Sequence, residues 1–331
     1  MKIDIVIGLQ YGDEAKGKVT HSLCKKNHYD RVLRVSSGAN CGHTIYHEGK
    51  KLITHIIPAG VFYGIRSIIS PACVLNVKSF FEEIRYLEEN GIKNCQELVR
   101  IAKNAHVVTE NHIEEDAKES RLGTTKRGIG PCQRDRYNRT GIQAKEIPEL
   151  RPFLIDFYEE MFTDDELTIL SEGAQGHNLD ILLSDRYPYV TSGHCGVSGV
   201  LINGLPHSAI RSVYGVAKAY STYVGADTSF HGKGEIFDRL QEVGKEIGAT
   251  TKRKRQCNYL NVSELRKAIQ VNAVTHLIVN KVDVLQELNV WRVIDKGEIL
   301  DLDSEENFKN YLKQKFVQVP EIIFSYSPEE I

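Results

Sequence analysis

The stretch Ile3-Asp4-Ile5-Val6-Ile7, followed by Gly8-Leu9-Gln10-Tyr11-Gly12-Asp13-Glu14-Ala15-Lys16-Gly17-Lys18, decides how the rest of the chain is read. An apolar run enters a glycine-rich turn, and the turn enters a helical pattern. Such a turn presents backbone N–H groups and a helix N-terminus to an anion. Gly12, Gly17 and Lys18 fit the phosphate-binding pattern G-x-x-x-x-G-K. The next residue is Val19, where a magnesium-binding hydroxyl belongs, and Thr20 comes one place late. Asp13 puts a carboxylate inside the cradle. A negative charge beside phosphates is unfavourable unless a metal or a proton transfer uses it, so the turn predicts phosphate chemistry with a base built in.

Further apolar runs recur at Arg31–Val35, Ile53–Ile57, Ser67–Ile69, His106–Thr109, Thr168–Leu170, Ser212–Ala217, His276–Val279 and Glu321–Phe324. Helical spacing separates several of them, as at Phe80, Ile84 and Leu87. Strands alternating with helices predict an α/β fold with a mostly parallel central sheet and helices on both faces, built on a P-loop-like nucleotide-binding core. Tyr46–Lys51 and Asp295–Ile299 read as hairpin turns. No Pro/Ser-rich linker interrupts residues 1–331, which predicts a single domain with long ligand loops.

Lys and Arg total 42 against 44 Asp and Glu, a net charge of −2, so the balance gives no case for nucleic-acid binding. The apolar runs are far short of a membrane span. The opening residues have no signal-peptide layout. Seven cysteines are scattered without a C-x-x-C pair, which predicts reduced thiols and a cytoplasmic protein.

Five more segments carry chemistry, most of them directly after a strand-like run, where ligand loops of open α/β sheets lie. Ser36–Thr44 offers Asn40 and His43 among small residues that permit close backbone approach. Gly123–Pro131, followed by Arg134, Arg136 and Arg139, suits a phosphate, or is simply a solvated basic loop. Glu172–Gly176 and Tyr187–Ser192 offer Gln175 and Thr191 to a base or phosphate. Gly248–Arg255 ends in Lys252-Arg253-Lys254-Arg255, four cations that repel each other unless anions are bound; guanidinium groups suit carboxylates. Asn280-Lys281-Val282-Asp283 is an N-K-x-D arrangement in which an aspartate can accept from N1–H and the 2-amino group of guanine.

In this order the six segments resemble adenylosuccinate synthetase over nearly the whole chain. The opening turn and Gly-Ala-Thr-Thr-x-Arg-x-Arg are the specific matches. The resemblance implies a GTP- and Mg2+-dependent ligase that joins L-aspartate to C6 of IMP through a 6-phosphoryl intermediate. It implies Asp13 as the base at N1 and a metal contact, the Gly42 carbonyl as a second metal ligand, and His43, Lys16 and Gln175 as catalytic groups. It places GTP on Gly12, Glu14, Ala15, Lys16, Gly17, Lys18, Gly42 and Thr44, with Lys281, Asp283, Ser325 and Ser327 at its guanine. It places the purine monophosphate on Asp13, Asn40, Thr125, Gln175, Thr191, Val224 and Arg253, with Arg139 reaching across a homodimer. Thr250, Thr251, Arg253 and Arg255 match the aspartate loop.

The chain departs from the family's pattern in places. It is shorter than common bacterial members. Ala15 and Lys126 stand where glycine is usual, and Gly193-His194-Cys195-Gly196 differs from the usual polar run. Val224–Ser229 lacks the Gly-Pro-Phe-Pro stretch, and Tyr223 stands for an arginine. A related phage group of 2-amino-2′-deoxyadenylosuccinate synthetases takes dGMP, so IMP and dGMP both stay open. The rival readings are a P-loop kinase or GTPase, which Val19 opposes, and a non-catalytic nucleotide or nucleic-acid binder.

Overall fold

A computed structural model describes residues 1–248 and 252–331. Its main sheet has nine strands: β1 (Lys2–Gly8), β2 (Arg31–Arg34), β3 (Arg66–Ile69), β4 (Val99–Ala102), β5 (Leu154–Ile155), β6 (Thr168–Glu172), β7 (Ile210–Lys218), β8 (His276–Asn280) and β9 (Glu321–Phe324). Their order is β9-β8-β7-β1-β6-β2-β3-β4-β5, and each neighbouring pair is parallel. The α/β expectation holds. β1 is buried on both faces, which is why Ile3–Ile7 reads as an unbroken apolar run rather than an alternation.

The chain builds outward from β2 to β5, returns to insert β6 between β2 and β1, then crosses β1 and builds outward again to β9. The direction of winding therefore reverses around β1, and the loops at the carboxyl ends of β1, β2, β6, β7 and β8 converge there. Helix α1 (Lys16–Lys26) packs Val19, Leu23 and Cys24 against Val6, Val32, Leu170, Val216 and Ile278 of these same strands. Its last turn carries Lys25 and Lys26, which suit the negative end of a helix.

Four segments differ from expectation. Ile53–Ile57 supplies no core strand; Lys50–Thr54 pairs antiparallel with His43–His47 as a separate hairpin, closed by the turn expected at Tyr46–Lys51. His106–Thr109 yields only His106–Val107, paired with Val74–Leu75 off the main sheet. Val99–Ala102 and Leu154–Ile155 are sheet strands too short to stand out by periodicity. The second expected hairpin is present, with Asp295 opposite Glu298. Among the described residues no helix is long and apolar enough to cross a membrane.

Candidate functional site

The opening turn is held from inside by Glu14. Its Oε1 accepts from the N–H of Gln10 at 3.1 Å and of Gly12 at 2.8 Å, and its Oε2 takes the Lys16 ammonium at 2.7 Å. Glu14 is fully buried and Lys16 nearly so. Both were expected at GTP, but here their charged groups are committed to each other. Burial opposes the Lys16 charge, yet Glu14 keeps the ammonium pKa above its usual value. The turn packs tightly. A Cβ on Gly8 would lie 2.4 Å from Glu14 Oε2, and one on Gly17 would lie 2.7 Å from the His43 Cβ. Asp13 and Ala15 both take left-handed backbone, φ 61° and 72°. Ala15 is the residue before α1, so the glycine usual there has a conformational reason.

His43 is buried beside the turn. Its Nδ1 makes a very short hydrogen bond with Glu172 Oε1, and the Arg34 guanidinium lies 3.2 Å from the same nitrogen. Arg34 Nη2 is 3.0 Å from Glu172, whose other oxygen accepts from the Ala59 N–H at 2.8 Å. Burial disfavours the Glu172 carboxylate, but Arg34, His43 and this N–H outweigh it and bring the group down to about 2. Burial also works against the His43 charge, and the neighbouring Cys41 and Glu172 leave its pKa raised. Cys41 is lowered to about 7 because His43, Arg34 and Lys16 outweigh its burial. Glu172 and Arg34 were missed as site residues. Their signal was present: each is a charged residue in a strand at the buried middle of a parallel sheet, where an unpaired charge is too costly to keep.

Asp13 faces the cationic loop. Arg255 Nε donates to Asp13 Oδ2 at 2.6 Å, and its Nη1 donates to Glu246 Oε2 at 2.7 Å. Glu246 is itself held by Lys218 Nζ at 2.9 Å and by the Tyr220 hydroxyl at 2.6 Å. Burial penalises Glu246, but Lys218 and Arg255 overcome it and lower it to about 2. The repulsion read into residues 252–255 is thus relieved at Arg255 by two of the protein's own carboxylates. Glu246 and Lys218 lie outside every recognisable motif; Glu246 stands two residues before the loop, and only folding brings Lys218 to it. Thr250 and Thr251 lie outside the described residues.

At the other end of the turn, Lys18 Nζ donates to Ser325 Oγ at 2.7 Å and to the Ser327 carbonyl at 2.8 Å. Burial lowers Lys18 to about 8, Asp283 opposing and Lys281 reinforcing the shift. Lys281, in left-handed backbone just before the helix Val282–Leu288, donates to the Gly244 carbonyl at 2.9 Å. Asn280 Nδ2 donates to the Glu14 carbonyl at 2.7 Å, which straps the N-K-x-D corner to the opening turn. Lys18, Lys281, Asp283, Ser325 and Ser327 therefore lie near one another, which brings a residue of the phosphate turn beside the N-K-x-D corner.

Gln175 and Thr191 line a single cleft with Ser36, Ser37, Ile129 and Gln133. Asn40 sits at its edge, where its Oδ1 accepts from Ser37 Oγ at 2.5 Å and the Gly38 N–H at 3.1 Å. Gly123 abuts Ala226 and Arg253, which brings the Thr125 loop beside the segment after Val224. Lys126 has φ 58°, again a place that suits the usual glycine. Gly42 and Thr44 flank His43 at the start of the hairpin strand. Arg139 ends the helix Ile129–Asn138 in left-handed backbone and is exposed, away from this cleft's wall. Arg134 and Arg136 do not serve as free phosphate ligands. Arg134 pairs with Glu115 and Asp135, and Arg136 donates to the carbonyls of Pro71, Ala72 and Cys73.

Comparison with known proteins follows the same lines. The family model described as adenylosuccinate synthetase matches residues 5–165 and 147–318. The adenylosuccinate synthetase of Helicobacter acinonychis is 35% identical over 88% of this chain and 81% of its own length. That of Shouchella clausii is 35% identical over 90% of this chain and 82% of its own. The fully ligated adenylosuccinate synthetase of Plasmodium falciparum superposes with a TM-score of 0.86 at 26% identity, covering 99% of this chain and 98% of the other. The cyanophage S-2L succinoaminodeoxyadenylate synthetase, bound to dGMP and to dATP as an energy donor, shares the fold with a TM-score of 0.77 at 19% identity, covering 99% and 93%. The chain belongs to the adenylosuccinate synthetase family and is a carbon–nitrogen ligase.

Proposed function

We propose that this ligase joins the amino group of L-aspartate to C6 of IMP, with GTP as phosphoryl donor and Mg2+ as cofactor. The observation that carries the reading is the 2.6 Å contact between Asp13 and Arg255. It sets the carboxylate suited to take a proton from N1 against the loop suited to hold the aspartate carboxylates. The chemistry then runs in two stages. Asp13 takes the N1 proton, the charge moves to O6, and O6 attacks the γ-phosphorus of GTP as its bond to the β,γ-bridging oxygen breaks and GDP leaves. The aspartate amine next attacks C6, and phosphate leaves with the former O6. His43, oriented by Glu172, stabilises charge at O6 and the transferring group. When a substrate carboxylate takes Arg255, Asp13 is released from its ion pair, while Glu246 keeps the guanidinium in place.

Magnesium suits the donors present. Asp13 and the Gly42 carbonyl are hard oxygen ligands, and among the described residues no cluster of three or more His, Cys, Asp or Glu could hold a metal without substrate phosphates. Those two groups would hold the ion, which would neutralise phosphate charge. The grouping of Lys281, Asp283, Ser325 and Ser327 beside Lys18 of the phosphate turn supports guanine as the donor's base, hence GTP over ATP. Arg139, exposed at a helix end, acts across a homodimer interface on the 5′-phosphate.

One observation favours dGMP as a second reading. The segment after Val224 is built around Tyr223, which is buried against Tyr11 and Phe230 at the position where the family resemblance implies an arginine. The deciding experiment supplies GTP, Mg2+ and L-aspartate with IMP, dIMP, GMP or dGMP in turn. Product from IMP is expected. Product from dGMP alone would replace IMP with the second reading, and GTP hydrolysis without any ligation would sink both.

A further inference from the structure

Residues Val224–Phe230 meet four separate parts of the site. Tyr223, just before them, and Phe230, at their end, pack edge-on against Tyr11 of the opening turn, with ring centroids 6.1 and 4.9 Å away. Ala226 lies against Gly123 of the Thr125 loop, so closely that a Cβ on Gly123 would come within 2.9 Å of its nitrogen. Gln256 Nε2, from the strand that leaves the cationic loop, donates to the carbonyls of Gly225 and Asp227 at 3.3 and 3.0 Å. Gly225 has no room for a side chain, because a Cβ there would lie 2.0 Å from the Tyr223 hydroxyl.

A single guanidinium joins these contacts. Arg186 makes a very short ion pair with Asp227, and its charge lies 5.7, 5.8 and 5.3 Å from the ring centres of Tyr11, Tyr223 and Phe230. The pair is mostly shielded from water, with side chains 24% and 16% exposed, so both the ion pair and the cation–π contacts act at reduced screening. Asp227 is fixed on its other side by the Ser229 N–H and hydroxyl at 3.0 and 2.6 Å. Arg186 comes from the loop just before Tyr187 and Thr191, so it also ties the monophosphate cleft to this segment.

We propose that Arg186 is a positioning residue that sets specificity for the sugar of the purine monophosphate. By clamping Asp227 onto the Tyr11–Tyr223–Phe230 cluster it holds Val224 and Gly225 as a rigid wall of the site. This rests on the reading of Val224 as a monophosphate contact. A wall misplaced by a fraction of an ångström alters fit at the sugar while leaving the donor nucleotide alone.

Steady-state kinetics on the full chain test it with wild type, Arg186→Met and Arg186→Lys, each with IMP and dIMP. Arg186→Met keeps the stem on the rings and removes the charge. It is expected to raise KM for the monophosphate about tenfold and to change the IMP-to-dIMP ratio of kcat/KM at least threefold. KM for GTP is expected to stay within about twofold, since the contacts of Arg186 are to Asp227, Tyr11, Tyr223 and Phe230 and not to Lys18, Lys281 or Asp283. Arg186→Lys, which keeps a cation over the rings, should recover part of both effects. An unchanged ratio in an active Arg186→Met enzyme overturns the proposal. So does an equal rise in KM for all three substrates together with a lowered melting temperature. A wild type that ligates none of the monophosphates refutes the functional reading instead, and is distinguishable because it needs no variant.

Discussion

At the residue scale, the opening turn shows how one backbone conformation limits side-chain choice. Ala15 at φ 72° occupies space where a Cβ is strained. Ala15→Gly should stabilise the fold by about 0.5–1 kcal/mol, the left-handed strain relieved less the added entropy of glycine. Urea unfolding reads it, and a loss of stability would contradict the strain argument. Lys18 makes a second residue-scale prediction. Its ammonium is lowered to about 8 by burial, so the free protein loses that positive charge as pH rises through 8. The kcat/KM for GTP should fall across that pH, and Lys18→Arg should abolish the inflection. Both residues were legible as phosphate-turn members; the φ of one and the buried setting of the other were not, because neither is a property of residue type.

At the element scale, the turn does not hold itself. Gln10 bridges β1 to the end of β7, where its Oε1 accepts from the Lys218 N–H at 2.8 Å and its Nε2 donates toward the Lys218 and Tyr220 carbonyls and Ser221 Oγ. Asn280 does the same from β8. Asn280→Ala removes one buried bond and strands the Glu14 carbonyl, at a cost of about 1–3 kcal/mol. It should also raise KM for GTP while leaving KM for aspartate close to wild type. A variant equal to wild type in both measurements would falsify the strap. The N-K-x-D corner was readable as a motif after an apolar run. Its bond to the turn joins positions far apart in the chain and follows from β8 and β1 flanking β7.

At the scale of the molecule, charge is concentrated where the loops converge. Glu172 and Glu246 both sit at about 2, below an ordinary glutamate near 4.5. A depressed carboxylate lends stability above its unfolded pKa and loses it as pH falls through the folded one. Stability should therefore decline from about pH 5 down toward pH 2, and Glu246→Gln should flatten that decline in acid unfolding monitored by circular dichroism. Arg139 belongs to this scale as well. If it completes the neighbouring subunit's site, inactive Asp13→Ala and Arg139→Leu proteins mixed after dissociation should recover about a quarter of wild-type activity, because half the dimers are mixed and each has one intact site. No recovery would remove Arg139 from the site. What the sequence by itself determined is the parallel α/β class, the family and the six loops, because strand burial, glycine turns and motif order are local and one-dimensional. What only the tertiary structure decided is which distant charges meet: Glu172 with His43, Arg255 with Asp13, and Arg186 with Asp227. Ion pairs between distant residues leave no local pattern, and they exist only where the reversal of winding around β1 brings the loops together.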